Sequence, residues 1–111
     1  MRYFETRFLK EAEEFVSQFD RGTIRKILYN IDLAEQIHAP KLFKKLQKEI
    51  WEFRIRHATL QIRLLAFWDK TDETETLVIA THGFIKKVDK TPGSEIDRAL
   101  ILRKRYFENK K

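Results

Sequence analysis

Cysteine is absent from the chain. That excludes a disulfide scaffold, a thiolate zinc site and a cysteine nucleophile. Glycine and proline are scarce, at three and two in 111 residues. No glycine-rich phosphate loop, HExxH or GxSxG motif occurs. Apolar runs are short; the longest, Leu64–Trp68, has five residues, far below a membrane span. The opening residues, Met1-Arg2-Tyr3-Phe4-Glu5, show no signal-peptide h-region, so a cytoplasmic protein without a membrane role is expected. The three histidines, His38, His57 and His82, fall in separate expected elements. Neither a metal nor a cofactor is expected.

What the chain does have is a core and a positive charge. Hydrophobic residues make up 42% and aromatics 13%, enough for a compact fold rather than disorder. The length suits one domain, 1–111. Lys and Arg total 23 against 17 Asp and Glu, a net charge of +6. The excess is concentrated: residues 41–63 and 84–111 each carry +5, whereas 1–40 carry −1 and 64–83 carry −3. Brought together, the two basic blocks form a surface for a polyanion, of which nucleic acid is the commonest. Apart, they are two solvated segments.

Periodicity orders the elements. Phe8, Ala12, Phe15, Val16 and Phe19 recur at helical spacing and predict a helix over 6–19. Met1–Phe4 is then a short strand or a lead-in. Asp20-Arg21-Gly22-Thr23 reads as a turn, with Gly22 as breaker and Thr23 as N-cap. A second helix follows to about Ile37, stopped before Pro40. The short connection makes the two helices a hairpin. Residues 41–48 are a helical turn or a loop. From Trp51 the period becomes two: Trp51, Phe53 and Ile55 alternate with Glu52, Arg54 and Arg56. Leu60–Trp68 is a more apolar, central strand, 69–75 a polar loop and Thr76–Thr81 a third strand. Gly83 ends or interrupts that strand. A last helix starts near Thr91-Pro92-Gly93-Ser94, capped by Thr91 or Ser94, and runs to about Phe107. The class is α+β: an N-terminal helical hairpin packed on a small antiparallel sheet, with a C-terminal helix.

Two constellations carry chemistry. Arg54 and Arg56, two apart on one strand, share a face, and Arg63 sits inside an apolar strand beside them. An arginine there is costly to bury without an anion. Either Glu52, on the same face, supplies an internal ion pair, or the three guanidiniums form a phosphate clamp. The second constellation is His82-Gly83-Phe84-Ile85-Lys86-Lys87, continued by Lys90. Lys86 and Lys87 are placed near the sheet edge. Histidine as a residue type suits proton transfer near neutral pH, which makes His82 and His57 candidates, although a hydrogen-bonded structural histidine is the commoner case. Lys44, Lys45, Lys48, Lys90 and Arg103 are candidate RNA contacts; Arg103 could equally belong to the polar face of a terminal helix.

Ile50-Trp51-Glu52-Phe53-Arg54-Ile55-Arg56, Arg63-Leu64-Leu65-Ala66-Phe67, His82-Gly83-Phe84-Ile85-Lys86-Lys87 and Lys90-Thr91-Pro92 with Glu95-Ile96 and Ala99 occur in this order. Together with Leu42-Phe43-Lys44-Lys45-Leu46, they resemble the RelE/ParE toxin superfamily over nearly the whole chain. The closer resemblance is to its phage-derived, HigB-like branch of type II toxin–antitoxin systems. That resemblance implies a ribosome-dependent mRNA endoribonuclease, or mRNA interferase. It would work without a metal, by 2′-hydroxyl attack on the adjacent phosphate, and so inhibit translation. It implies catalytic roles for Arg54, Arg56, Arg63, Lys86, Lys87, His82 and His57. Arg54 and Arg56 stand where RelE has lysines, and arginine is a poor general base. Tyr106 is the sole late tyrosine and matches the RelE tyrosine poorly. The implied partners are the ribosome with its mRNA, a helix-turn-helix antitoxin, and operator DNA through the antitoxin complex. The same fold also serves non-enzymatic gyrase inhibitors of the ParE branch, and a plain nucleic-acid-binding domain is a third possibility.

Overall fold

The computed structural model describes residues 2–71 and 76–110. In chain order the elements are β1 (Glu5–Phe8), α1 (Lys10–Ser17), α2 (Arg21–Gln36), β2 (Phe43–Lys45), β3 (Trp51–His57), β4 (Leu60–Asp69), β5 (Leu77–Ile85) and α3 (Gly93–Asn109). The strands form one sheet in the order β1-β5-β4-β3-β2. All neighbours are antiparallel except β1, which runs parallel to β5. This is the expected α+β class, with a larger sheet than the sequence indicates.

The alternation in β3 and β4 divides the molecule into two layers. Phe53, Ile55, Ile62, Leu64, Ala66, Val78 and Ala80 face α1 and α2, where Ala12, Val16, Ile27, Ile31 and Ala34 complete one core. Leu65, Phe67, Leu77 and Ile79 face the other way and pack against Ile96 and Ala99 of α3. Each layer excludes water from one side of a sheet whose central strands are apolar on both faces.

Several boundaries differ from the sequence expectation. The first helix begins at Lys10 rather than at residue 6, because Glu5–Phe8 pairs along β5. Phe8 lies four residues before Ala12 and so mimics a helical position. The open edge of β5 needs partners for its backbone groups, and β1 supplies them. Residues 2–4 are outside any strand, and Met1 lies outside the described residues. Residues 41–48 contain β2, whose Phe43 stacks on Phe53 and Trp51. Asp20, not Thr23, caps α2, its carboxylate accepting from the Thr23 N–H at 2.8 Å; Gly22 lies within the first turn. Helix α3 starts without a side-chain cap, and Thr91 is engaged elsewhere. Part of the expected 69–75 loop, residues 72–75, lies outside the described residues.

The largest difference is in β5, which continues through Gly83 to Ile85. A Cβ at Gly83 would lie inside van der Waals contact of the Phe15 ring and 2.8 Å from a Leu64 methyl carbon. Glycine is needed because α1 lies directly on the strand. The ladder also slips: Leu65 pairs with His82 but Ala66 with Ala80, leaving Thr81 as a bulge. Beyond it, His82 and Phe84 point to the α3 side and Gly83 to the α1 side. A bulge re-aims side chains, and here it turns Lys86 toward the face that carries Arg63.

Candidate nucleic-acid interface

Helix α3 covers only part of its face of the sheet. Beyond its N-terminal end, that face carries Glu52, Arg54, Arg56, Gln61 and Arg63. Register alone produces the cluster: Arg54 pairs with Arg63, Arg56 with Gln61, and Glu52 with Leu65. Lys86 joins it from the end of β5, its backbone N–H donating to the Gln61 carbonyl at 2.7 Å.

Glu52 is the hub. The residue is 2% exposed, yet its carboxylate holds two guanidiniums at Oε2–Nε 3.7 Å (Arg54) and Oε1–Nε 3.7 Å (Arg63). The Thr91 hydroxyl donates to the same carboxylate, tying the 86–92 segment to β3. Arg63 is 5% exposed, and donates to the Ile62 carbonyl at 3.1 Å and to the Gln61 side chain at 3.3 Å. Its Nε has no hydrogen-bond partner. Glu52 thus balances the Arg63 charge as an internal ion pair, and donor capacity remains on the guanidinium.

Burial lowers the Arg63 pKa; Glu52 opposes this, and Arg54 and Arg56 add to it. Burial also lowers the Lys86 pKa, reinforced by the positive field of Arg63 and Arg54 and opposed by Glu52 and Asp89. An ammonium held in such a field gives up its proton more readily than a free lysine. An anion placed against the cluster would relieve the repulsion.

Two basins meet at this cluster. One, of about 420 Å³, is lined by Lys26, Asn30, Lys41, Leu42, Arg54, Ile55, Arg56, Gln61 and Arg63. The other, of about 450 Å³, is lined by Lys44, Leu46, Gln47, Glu52, Arg54, Lys86, Asp89, Lys90, Thr91 and Ile96. Arg54 belongs to both. The two basic blocks of the sequence therefore do converge, with Arg54, Arg56, Arg63 and Lys44 from the first and Lys86 and Lys90 from the second.

Other candidates lie elsewhere. Lys87 is exposed beside Lys86 but lines neither basin. Lys45 projects to the opposite side of β2, next to Trp51, Trp68 and Lys70, and pairs with Glu49 at 3.6 Å. Lys48 occupies the turn before β3, with φ of 52°. Arg103 stacks its guanidinium over Phe67 and Phe107, 5.9 and 5.2 Å from their centroids. His57 ends β3 and interacts with Asp20 at the α1–α2 turn. His82 is 1% exposed and bonded at both ring nitrogens, to Thr81 at 3.0 Å and to Glu95 at 2.9 Å. Burial lowers its pKa, with the Glu95 bond working the other way. Its geometry fastens α3 to β5. Tyr106 donates to Asp69 at 2.6 Å, joining α3 to β4.

Lys26, Asn30, Lys41 and Gln61 escaped the sequence reading. Lys26 and Asn30 sit four apart on α2, and that i,i+4 spacing was the available signal. Among the described residues, no group of three or more His, Asp or Glu side chains is placed to hold a metal, and no helix is long and apolar enough to cross a membrane.

The sequence matches the phage-derived Gp49-like protein family over residues 14–104. The chain belongs to the Gp49-like family. Its fold is that of the RelE toxins. It is similar to a chain of the RelBE2 toxin–antitoxin complex from Mycobacterium tuberculosis, with a TM-score of 0.56 and 16% identity, over 78% of this chain and 100% of that one. It is also similar to a chain of the archaeal RelE–RelB complex from Pyrococcus horikoshii OT3, with a TM-score of 0.53 and 10% identity, over 78% and 99% of the two chains. No protein of curated function matches it.

Proposed function

We propose that this Gp49-like protein is the toxin of a type II toxin–antitoxin system and an mRNA endoribonuclease acting on the ribosome. The observation that carries the reading is the convergence of Arg54, Arg63 and Lys86 around the buried Glu52 on an uncovered sheet face. Fixed cations of this kind stabilise charge that grows on a phosphate during transfer. In the proposed reaction the ribose 2′-oxygen attacks the adjacent phosphorus, forming the P–O2′ bond. The P–O5′ bond breaks, leaving a 2′,3′-cyclic phosphate and a 5′-hydroxyl. Arg54 and Arg63 hold the non-bridging oxygens. Lys86 moves the proton, its lowered pKa bringing it closer to the working pH than an ordinary lysine. Arg56 grips the strand beside the reacting phosphate. His57 and His82, placed as described, take no part at the reacting phosphate. The partner is an antitoxin that masks this face or prevents ribosome entry, and the pair acts at operator DNA.

The test is to map cuts on ribosome-bound mRNA of defined sequence, with a ribosome-free control and with Lys86→Ala. Cuts that need the ribosome, carry cyclic phosphate ends and disappear in the variant are expected. A folded, toxic protein that cuts in neither lane contradicts the reading and points to gyrase or another target.

A further inference from the structure

The two basins at the reaction centre differ in charge. The one toward Lys86 mixes Lys44, Lys86 and Lys90 with Glu52 and Asp89. The one toward α2 contains no carboxylate: Lys26, Lys41, Arg54, Arg56 and Arg63 line it with the amides of Asn30 and Gln61. Glu52 offsets Arg54 and Arg63 from outside the basin, but no carboxylate in its lining offsets Lys26, Lys41 and Arg56, and the net positive field there attracts an anion. Arg63 lines this basin with its side chain 6% exposed and its Nε turned toward Glu52, 3.7 Å away. Beside the basin, Tyr29 is 58% exposed, and the Lys26 ammonium lies 5.8 Å from its ring centroid.

We infer that the α2-side basin is a second phosphate subsite, which holds the RNA backbone next to the scissile phosphate through Lys26 and Lys41, with Tyr29 as a stacking platform for the adjoining base. The inference rests on the proposed nuclease reading and extends it: α2 becomes a substrate-binding element. A polymer cut at Arg54, Arg63 and Lys86 has to continue past them, and Arg54 and Arg63 are shared with this basin. Cations flanked by an exposed aromatic ring suit a single-stranded nucleic acid better than an acidic peptide, since each base has a face to stack and each phosphate a charge to pair.

The experiment measures binding of a short 2′-O-methyl oligoadenylate, which lacks the attacking hydroxyl, across a salt series. Wild type, Lys26→Ala/Lys41→Ala, Lys26→Arg and Tyr29→Ala are compared, with melting temperature as the folding control. Ribosome-dependent cutting by the same proteins is measured in parallel. The double variant is expected to bind about tenfold more weakly, with a log K against log salt slope shallower by about 1.4 for two lost phosphate contacts. Lys26→Arg should keep the wild-type slope. Tyr29→Ala should lower affinity at unchanged slope. A double variant with wild-type affinity and slope, when the wild type binds and cuts, overturns the subsite and leaves the nuclease reading standing. A wild type that neither binds the oligonucleotide nor cuts mRNA overturns both.

Discussion

The two faces of the sheet contrast in what covers them. On one, α1 and α2 close over Phe53, Ile55, Ile62 and Leu64, all at most 1% exposed. On the other, α3 closes over Leu65 and Phe67 but stops short of Arg54, Arg56 and Arg63. The same strands therefore deliver a sealed core on one side and a charged, open floor on the other. Alternation lets one strand do both. On the proposed reading it also separates most consequences of mutation: the sealed face sets stability, and the open face sets ligand binding and chemistry.

Phe53→Ala should give the largest stability loss, about 3–5 kcal/mol in denaturant titration, because Phe4 and Phe43 pack on that ring and cannot fill the space. Glu52→Ala probes the boundary between the faces. It leaves Arg63 buried with no counter-charge, and about 3 kcal/mol of destabilisation is expected. A loss of activity without loss of stability would place Glu52 wholly on the functional side. Gly83→Ala should cost about 1–3 kcal/mol by pushing α1 away through Phe15.

A pH titration sharpens the comparison at the far end of α3. Burial pushes the Asp69 carboxyl up, but hydrogen bonds from Lys110, Thr71 and Tyr106 outweigh it and hold the group well below the usual carboxylate range. A lowered folded-state pKa means the native state keeps its carboxylate ionised where the unfolded chain is already protonated. The stabilisation is thus complete above the unfolded value of about 3.9 and is lost as pH falls through the lower folded value. Asp69→Asn should flatten the acid limb of a melting-temperature profile. Lys87→Ala, at an exposed position outside both basins, should change neither stability nor cutting measurably.

Much of this division is legible in the sequence. The alternation of Trp51–Arg56 and the apolar run 64–68 identify both faces of the central strands. The shared face of Arg54 and Arg56 follows from spacing two. Lys86 is harder, because its direction depends on the bulge at Thr81, and no local pattern marks it. Helix-like spacing of Phe8 hides β1, whose existence depends on an edge of β5 more than 65 positions away. Thr91 reads as a helix cap because Thr-Pro-Gly usually is one, whereas Glu52 competes successfully for its hydroxyl. Lys26 and Lys41 look like solvated charge until the sheet places Arg54 and Arg56 opposite them. In each case a contact distant in sequence outweighs the local preference.

On the proposed reading, the open face performs the chemistry independently of the sealed one. Its most direct test is the single-turnover rate of mRNA cutting on ribosomes by Lys86→Ala, with the melting temperature measured on the same preparation. A rate at least about 100-fold lower is expected, as for loss of a proton-transfer group, with an unchanged melting temperature. Cutting at the wild-type rate by a folded Lys86→Ala protein would contradict it.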